Sequence, residues 1–213
     1  MYHMFTIKNK LLGIGAAGLI TAMSLTGCGT TTTTSTSPTT TVPSTTNSNK
    51  PQNNVVVKNP NGTESVIVGG STYKGAAKLK HFESLAQSQP TNEQAQINAA
   101  LSANVNSHPH LAISYYEKAI KIAPTDAIPY NNIGNIYLRT LGQPQKALPY
   151  YQKATQVNPT YAYGWWNLAL CQGQLKNITA EKQTLQQALK TIPKSDPLYS
   201  TIKQLQTSVL KAK

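Results

Sequence analysis

From about Lys74 onward the apolar positions recur with a helical period. Ala77, Leu79, Phe82, Leu85 and Ala86 mark a short amphipathic helix that ends before Pro90. Three later segments repeat one another: Ala112 to Pro124, Ala147 to Pro159, and Leu185 to Pro193, and their closing prolines recur at a near-constant interval. In the first two, Ala112, Tyr116, Ala119 and Ala147, Tyr151, Ala154 are spaced by four and three, which places a small, a large and a small side chain on one helical face. The closing proline cannot continue the helix and marks a turn. After Ser195-Asp196-Pro197, a capping side chain followed by proline, Leu198, Tyr199, Ile202, Leu205 and Val209 form one more apolar stripe. Upstream, Val55-Val56-Val57 and Val66-Ile67-Val68 flank Asn59-Pro60-Asn61-Gly62, which predicts a short hairpin over 55–68.

The halves preceding each repeated segment also agree. Tyr130, Ile133, Gly134 and Tyr137 fit the frame W-x2-L-G-x2-Y, and Trp165, Leu168, Ala169 and Gln172 fit it again. This pattern resembles the tetratricopeptide repeat, a helix-turn-helix unit whose period matches the interval between the prolines. The resemblance covers Ala127 to Pro159, Ala162 to Pro193 and, more weakly, Thr91 to Pro124. It implies an all-α solenoid of about three repeats over 91–193, with a flanking helix over 72–90 and a C-terminal capping helix over 194–213. Three departures stand out. The middle repeat has an extra residue, assigned to the turn Leu141-Gly142-Gln143-Pro144-Gln145. The first helix near Glu93 to Ala103 lacks the aromatic and the glycine. Glu181 occupies a position where the family has a small alanine, which predicts loosened packing.

The N-terminal third is of a different kind. Lys8 and Lys10 precede an uncharged, mostly apolar run from Leu11 to Leu25, short for a bilayer-spanning helix, that ends in Leu25-Thr26-Gly27-Cys28. The run looks like a signal peptide over 1–27, and its end like the lipobox of bacterial lipoproteins. The resemblance implies cleavage before Cys28, a lipid on its thiol, and an extracytoplasmic protein anchored to the bacterial cell membrane. From Thr30 to Asn49 the chain is mostly Thr and Ser, with almost nothing apolar to offset ordering entropy. Residues 28–71 therefore read as the lipid site and a disordered tether that includes the hairpin.

Composition narrows the chemistry. The 213 residues hold 19 Lys+Arg against 7 Asp+Glu, a formal charge of +12, and two cysteines. So few acids leave little for paired-carboxylate catalysis, and two cysteines cannot make a four-thiolate zinc site. No phosphate loop, nucleophile elbow or H-E-x-x-H is present, and His108-Pro109-His110 stands without a nearby acid or thiol. No enzyme, metal or cofactor is expected. Cys171 reads as a buried small hydrophobe.

The resemblance places a concave groove along one side of each repeat's first helix. On that side lie Ile128, Asn131, Asn135, Leu138 and Arg139, then Tyr163, Trp166, Leu170 and Gln174. The repeat's own packing is met by Tyr130, Ile133, Tyr137, Trp165 and Leu168, so the groove residues on the other side are expected to face a bound peptide. A carboxylate clamp is disfavoured, since Arg139 is the sole cation among them. The expected function is protein-protein interaction or assembly at the cell envelope. The alternative is a cationic adhesion module that binds anionic wall polymers or lipid headgroups. Nucleic acid is not expected, because the signal exports the protein and lysine lacks arginine's bidentate readout.

Overall fold

The computed structural model describes residues 4–5, 55–58, 64–67 and 70–211. Three short strands, β1 (Met4–Phe5), β2 (Val55–Lys58) and β3 (Glu64–Ile67), form an antiparallel sheet in the order β1-β3-β2. Val56 pairs with Val66 and Met4 with Ile67. Eight helices follow: α1 (Ala76–Ser88), α2 (Glu93–Val105), α3 (Pro109–Ile122), α4 (Ala127–Asn135), α5 (Pro144–Val157), α6 (Ala162–Gln174), α7 (Ile178–Thr191) and α8 (Tyr199–Lys211). They pack as the hairpins α2/α3, α4/α5 and α6/α7, with α1 against α2 and α8 against α7. The helical part is thus an all-α solenoid of three helical hairpins between two flanking helices.

The small-large-small face accounts for the packing. Ala112, Tyr116 and Ala119 are 0, 1 and 0% exposed, and Ala147, Tyr151 and Ala154 are all 0%. Alanines let adjacent helices approach while each tyrosine fills the space between them. At Gly134 the approach is closer still, since a Cβ there would lie 2.6 Å from the Tyr151 ring. The helix ends follow the same economy of local chemistry. Asn92, Asp126 and Asn177 accept from backbone N–H groups at the starts of α2, α4 and α7, while α3 and α5 open on Pro109 and Pro144.

The extra residue of the middle repeat lies elsewhere than expected. It is taken up inside the helix, where Ile136–Thr140 forms a π-helical turn and Leu141 N–H donates to the Ile136 carbonyl at 2.9 Å. The end of each first helix is a residue in the left-handed region: Ser107, Gly142 and Lys176, at φ of 65°, 65° and 59°. His108 N–H and Asn177 N–H then close back onto the carbonyls of Ala103 and Gln172, whereas Gln143 N–H reaches one residue further back, to Tyr137. The turn after Gly142 is therefore ordinary, and the insertion widens the helix before it.

Glu181 is a second difference. Packing around it is not loosened, for the residue is 5% exposed and its carboxylate oxygens lie 2.9 Å from where a Gly173 Cβ would be. Gly173 supplies the room that alanine supplies at 112 and 147. Burial raises the Glu181 carboxyl above its ordinary range.

Both ends are secured, the first by specific hydrogen bonds and the last by apolar packing. The Asn106 amide donates to the Tyr73 carbonyl at 3.0 Å and accepts from Gly75 N–H at 2.7 Å, and Gln96 Nε2 donates to the Ala86 carbonyl at 2.8 Å. These hold the start and end of α1 to α2. At the other end, Ile202 is fully buried against the α6/α7 core, which includes Leu185 and Ala188.

Candidate functional site

The helices α2, α4 and α6 are the first members of the three hairpins, and the residues expected in the groove lie on α4, its π-turn and α6. The structure divides them into two groups. Ile128, Tyr163, Trp166 and Leu170 are half-buried and Gln174 is exposed. Asn131, Asn135, Leu138 and Arg139 are buried, at 4, 1, 5 and 9% exposure.

The buried polar members are not free to receive a peptide, contrary to the sequence expectation, because they bond to one another. Asn167 Nδ2 donates to Asn131 Oδ1 at 2.9 Å, and Arg139 donates from its NH2 to Asn167 Oδ1 at 2.8 Å and from Nε to Asn135 Oδ1 at 3.3 Å. Tyr151 O–H donates to the same Asn135 oxygen at 2.9 Å. The physical reason is the approach of α6 to α4, which brings Asn167 into reach of both Asn131 and Arg139. Burying these amides and a guanidinium without partners would cost several kcal/mol, and the network supplies partners. Arg139 and Asn131 therefore tie adjacent repeats together through Asn167, while Asn135 joins Arg139 to Tyr151 within the middle hairpin. Asn135 Nδ2 is left buried without a protein partner among the described residues.

On α6, Trp165 donates from Nε1 to the Pro159 carbonyl at 2.7 Å, which fixes the repeat's own aromatic. Trp166, one position on, packs at the edge of the cluster that α6 shares with α7 and α8. Tyr163 and Leu170 follow on the same face at helical spacing, so α6 presents a half-exposed aromatic and aliphatic row.

Beside Ile128, sequence reasoning missed a pocket of about 410 Å³. Tyr73, Glu93, Gln94, Ile97, Asn98 and Leu101 line one side, and Asp126, Ile128 and Asn132 the other. It lies between α2 and α4, with Ile97, Leu101 and Ile128 as apolar lining and Glu93, Gln94, Asn98, Asp126 and Asn132 as polar lining. Burial, then the hydrogen bond and charge of Asp126, push the Glu93 carboxyl up to about 7. Asp126 meanwhile accepts from Ile128 N–H at 2.9 Å as the cap of α4. Glu93 opens the first hairpin and Asp126 precedes the second, so only the period of the repeat could have signalled that the two meet.

Elsewhere the chemistry is quiet. Cys171 is buried and donates to the Pro144 carbonyl at 3.3 Å, and burial pushes its thiol up to about 11, so it stays protonated near neutrality. His108 and His110 are exposed, and no group of three metal-binding side chains exists among the described residues. Cys28 lies outside the described residues.

Comparison with known proteins accords with this geometry. Family models described as tetratricopeptide repeat match residues 115–148 and 162–195. Two tetratricopeptide repeats are present. The first match starts within α3 and runs through α4 into α5, and the second spans α6 and α7. Comparison with curated proteins gives no match. Among solved structures, a crystal structure of MamA is similar at 17% identity and a TM-score of 0.51, covering 67% of this chain and 88% of that one. The Sgt2 TPR domain from Aspergillus fumigatus is similar at 20% identity and a TM-score of 0.46, covering 56% of this chain and 77% of that one. At such identities the MamA likeness speaks for the fold alone.

Proposed function

We propose that the protein is a protein-protein interaction module at the bacterial cell envelope, which receives an extended segment of a partner across α2, α4 and α6. The observation that carries this reading is the surface left over once the repeats have packed. It consists of the pocket between α2 and α4 together with the half-exposed row Tyr163, Trp166 and Leu170 on α6. Tryptophan and tyrosine on a preformed surface are the side chains that dominate interface energetics, and a pocket of this volume admits one large side chain. The repeats support the reading, since such domains bind protein or peptide segments. It assigns no catalytic role to any residue.

Location belongs to the same proposal. Lys8, Lys10, the apolar run and Leu25-Thr26-Gly27-Cys28 support export and lipidation at Cys28. Cleavage there removes β1 and leaves the β2–β3 pair, followed by the helical repeats. Cys28→Ser should leave the precursor unprocessed or free of the membrane; unchanged mass with full membrane retention would refute lipidation.

Peptide selection on the immobilised protein tests the binding surface. Selected peptides should lose roughly 30-fold or more in affinity to the double variant Trp166→Ala, Leu170→Ser, with helicity unchanged. Equal affinity in a folded double variant would place recognition elsewhere. Asn135→Ala is unsuited to this purpose, because it removes an acceptor shared by Tyr151 and Arg139.

A further inference from the structure

The C-terminal helix pair, α7 with the flanking helix α8, carries a concentration of lysines. Its lysines at 176, 190, 194, 203 and 211 are exposed, and Lys182 is half-buried. The acids between Lys176 and Lys211 are Glu181 and Asp196. Glu181 is sequestered against Gly173, and Asp196 accepts from Leu198 N–H at 2.8 Å at the start of α8. The five exposed lysines therefore face solvent with no freely exposed carboxylate among the residues of α7 and α8.

Exposed aliphatic side chains accompany these lysines on the same two helices. Ile178 and Leu210 are 43 and 60% exposed, and among the described residues the next most exposed large aliphatic is Ile122, at 36%. On α7, Ile178, Lys182, Gln186 and Lys190 follow one another at intervals of four. On α8, Lys203, Thr207, Leu210 and Lys211 fall at i, i+4, i+7 and i+8, one exposed stripe along the helix. Neither helix is long and apolar enough to cross a membrane.

We infer that α7 and α8 form a peripheral docking surface for an anionic lipid bilayer. Lysines supply attraction to acidic headgroups, and Ile178 and Leu210 enter the headgroup boundary. Charge alone would suit any polyanion. The aliphatics decide for the bilayer, because a soluble polyanion has no apolar phase to receive them. The attraction is screened by salt, as expected of exposed charges.

The test uses the full chain carrying Cys28→Ser and Thr207→Cys, labelled at position 207 with a polarity-sensitive dye; Cys171 is buried. Phosphatidylglycerol vesicles should shift the dye to the blue, whereas phosphatidylcholine vesicles should not. Lys182→Glu, Lys203→Glu and Lys211→Glu together should weaken the response roughly tenfold or more, and Leu210→Ser should reduce the shift while binding persists. Because the dye reports on α8, attachment through the N-terminal apolar run does not mimic the signal. An equal shift with both vesicle types, or one indifferent to charge reversal, overturns the proposal. Inorganic polyphosphate that raises the dye's anisotropy, with no shift on any vesicle, overturns it in favour of a soluble polyanion.

Discussion

Gly134→Ala is expected to destabilise the protein even though alanine is the better helix former. The new Cβ would lie 2.6, 2.8 and 2.9 Å from Cε1, Cδ1 and Cζ of Tyr151. Ordinary carbon contacts are about 3.5–4.0 Å, so the ring must withdraw by roughly 1 Å. It has little room to do so, being 0% exposed and held by its hydroxyl bond to Asn135. Overpacking of this kind costs about 1–3 kcal/mol, and a broken hydroxyl bond adds about 1 kcal/mol. The gain in helix propensity returns about 1 kcal/mol, leaving a net loss of about 1–3 kcal/mol. Urea denaturation followed by circular dichroism should show the midpoint fall by roughly 1 M with the slope unchanged. The third hairpin suggests the rescue, since Ala169 and Leu185 occupy the corresponding places. Adding Tyr151→Leu to Gly134→Ala should therefore cost less than the sum of the two single changes. The first hairpin does pair Ala100 with Tyr116, but that hydroxyl bonds to Asn132 on the next hairpin's first helix. A midpoint at or above that of the unmodified protein for Gly134→Ala would refute the close approach of α4 and α5 at this point.

Further expectations concern charge, the polar network and the helix ends. Glu181 and Glu93 have raised carboxyls, so between the ordinary value of 4.5 and their folded values the native state binds more protons than the unfolded one. Stability should fall as pH rises through that window, and Glu181→Gln should flatten the fall and raise stability at neutral pH; an unchanged slope in a titration of denaturation midpoints would count against its burial. Arg139→Met should cost about 2 kcal/mol by leaving the Asn135 and Asn167 oxygens short of donors, and a double-mutant cycle with Asn167→Ala should show coupling of about 1 kcal/mol or more. Additive effects would mean that the two repeats are not joined there. Gly142→Ala should cost about 1 kcal/mol, because alanine resists a φ of 65°, whereas Lys176→Gly should be neutral or stabilising at its φ of 59°. Equal effects of the two changes on thermal midpoint would contradict those backbone conformations.

The hairpin array was readable because its cause is local. Ala112-Tyr116-Ala119 and Ala147-Tyr151-Ala154 each lie within one helix, and their period repeats with the prolines. The site was less readable because its determinants are distances between helices. Asn131, Asn135 and Arg139 share a face in sequence, but whether they meet solvent or one another depends on how near Asn167 stands, and that depends on the α4–α6 approach. The π-turn was hidden for another reason. Ser107 and Lys176 reach the left-handed region without being glycine, so the chain carries no mark that aligns them with Gly142 and moves the insertion upstream. Glu181 was visible as an oversized residue, whereas the space Gly173 makes for it was not.

Site-specific photocrosslinking in intact cells tests the central claim most directly, with a photoreactive amino acid placed in turn at Trp166 and at Glu117 on the exposed side of α3. A partner engaged across α2, α4 and α6 should crosslink from position 166 and not from 117. Crosslinks that form from 117 while 166 stays silent would contradict the account and move recognition to the outer helices.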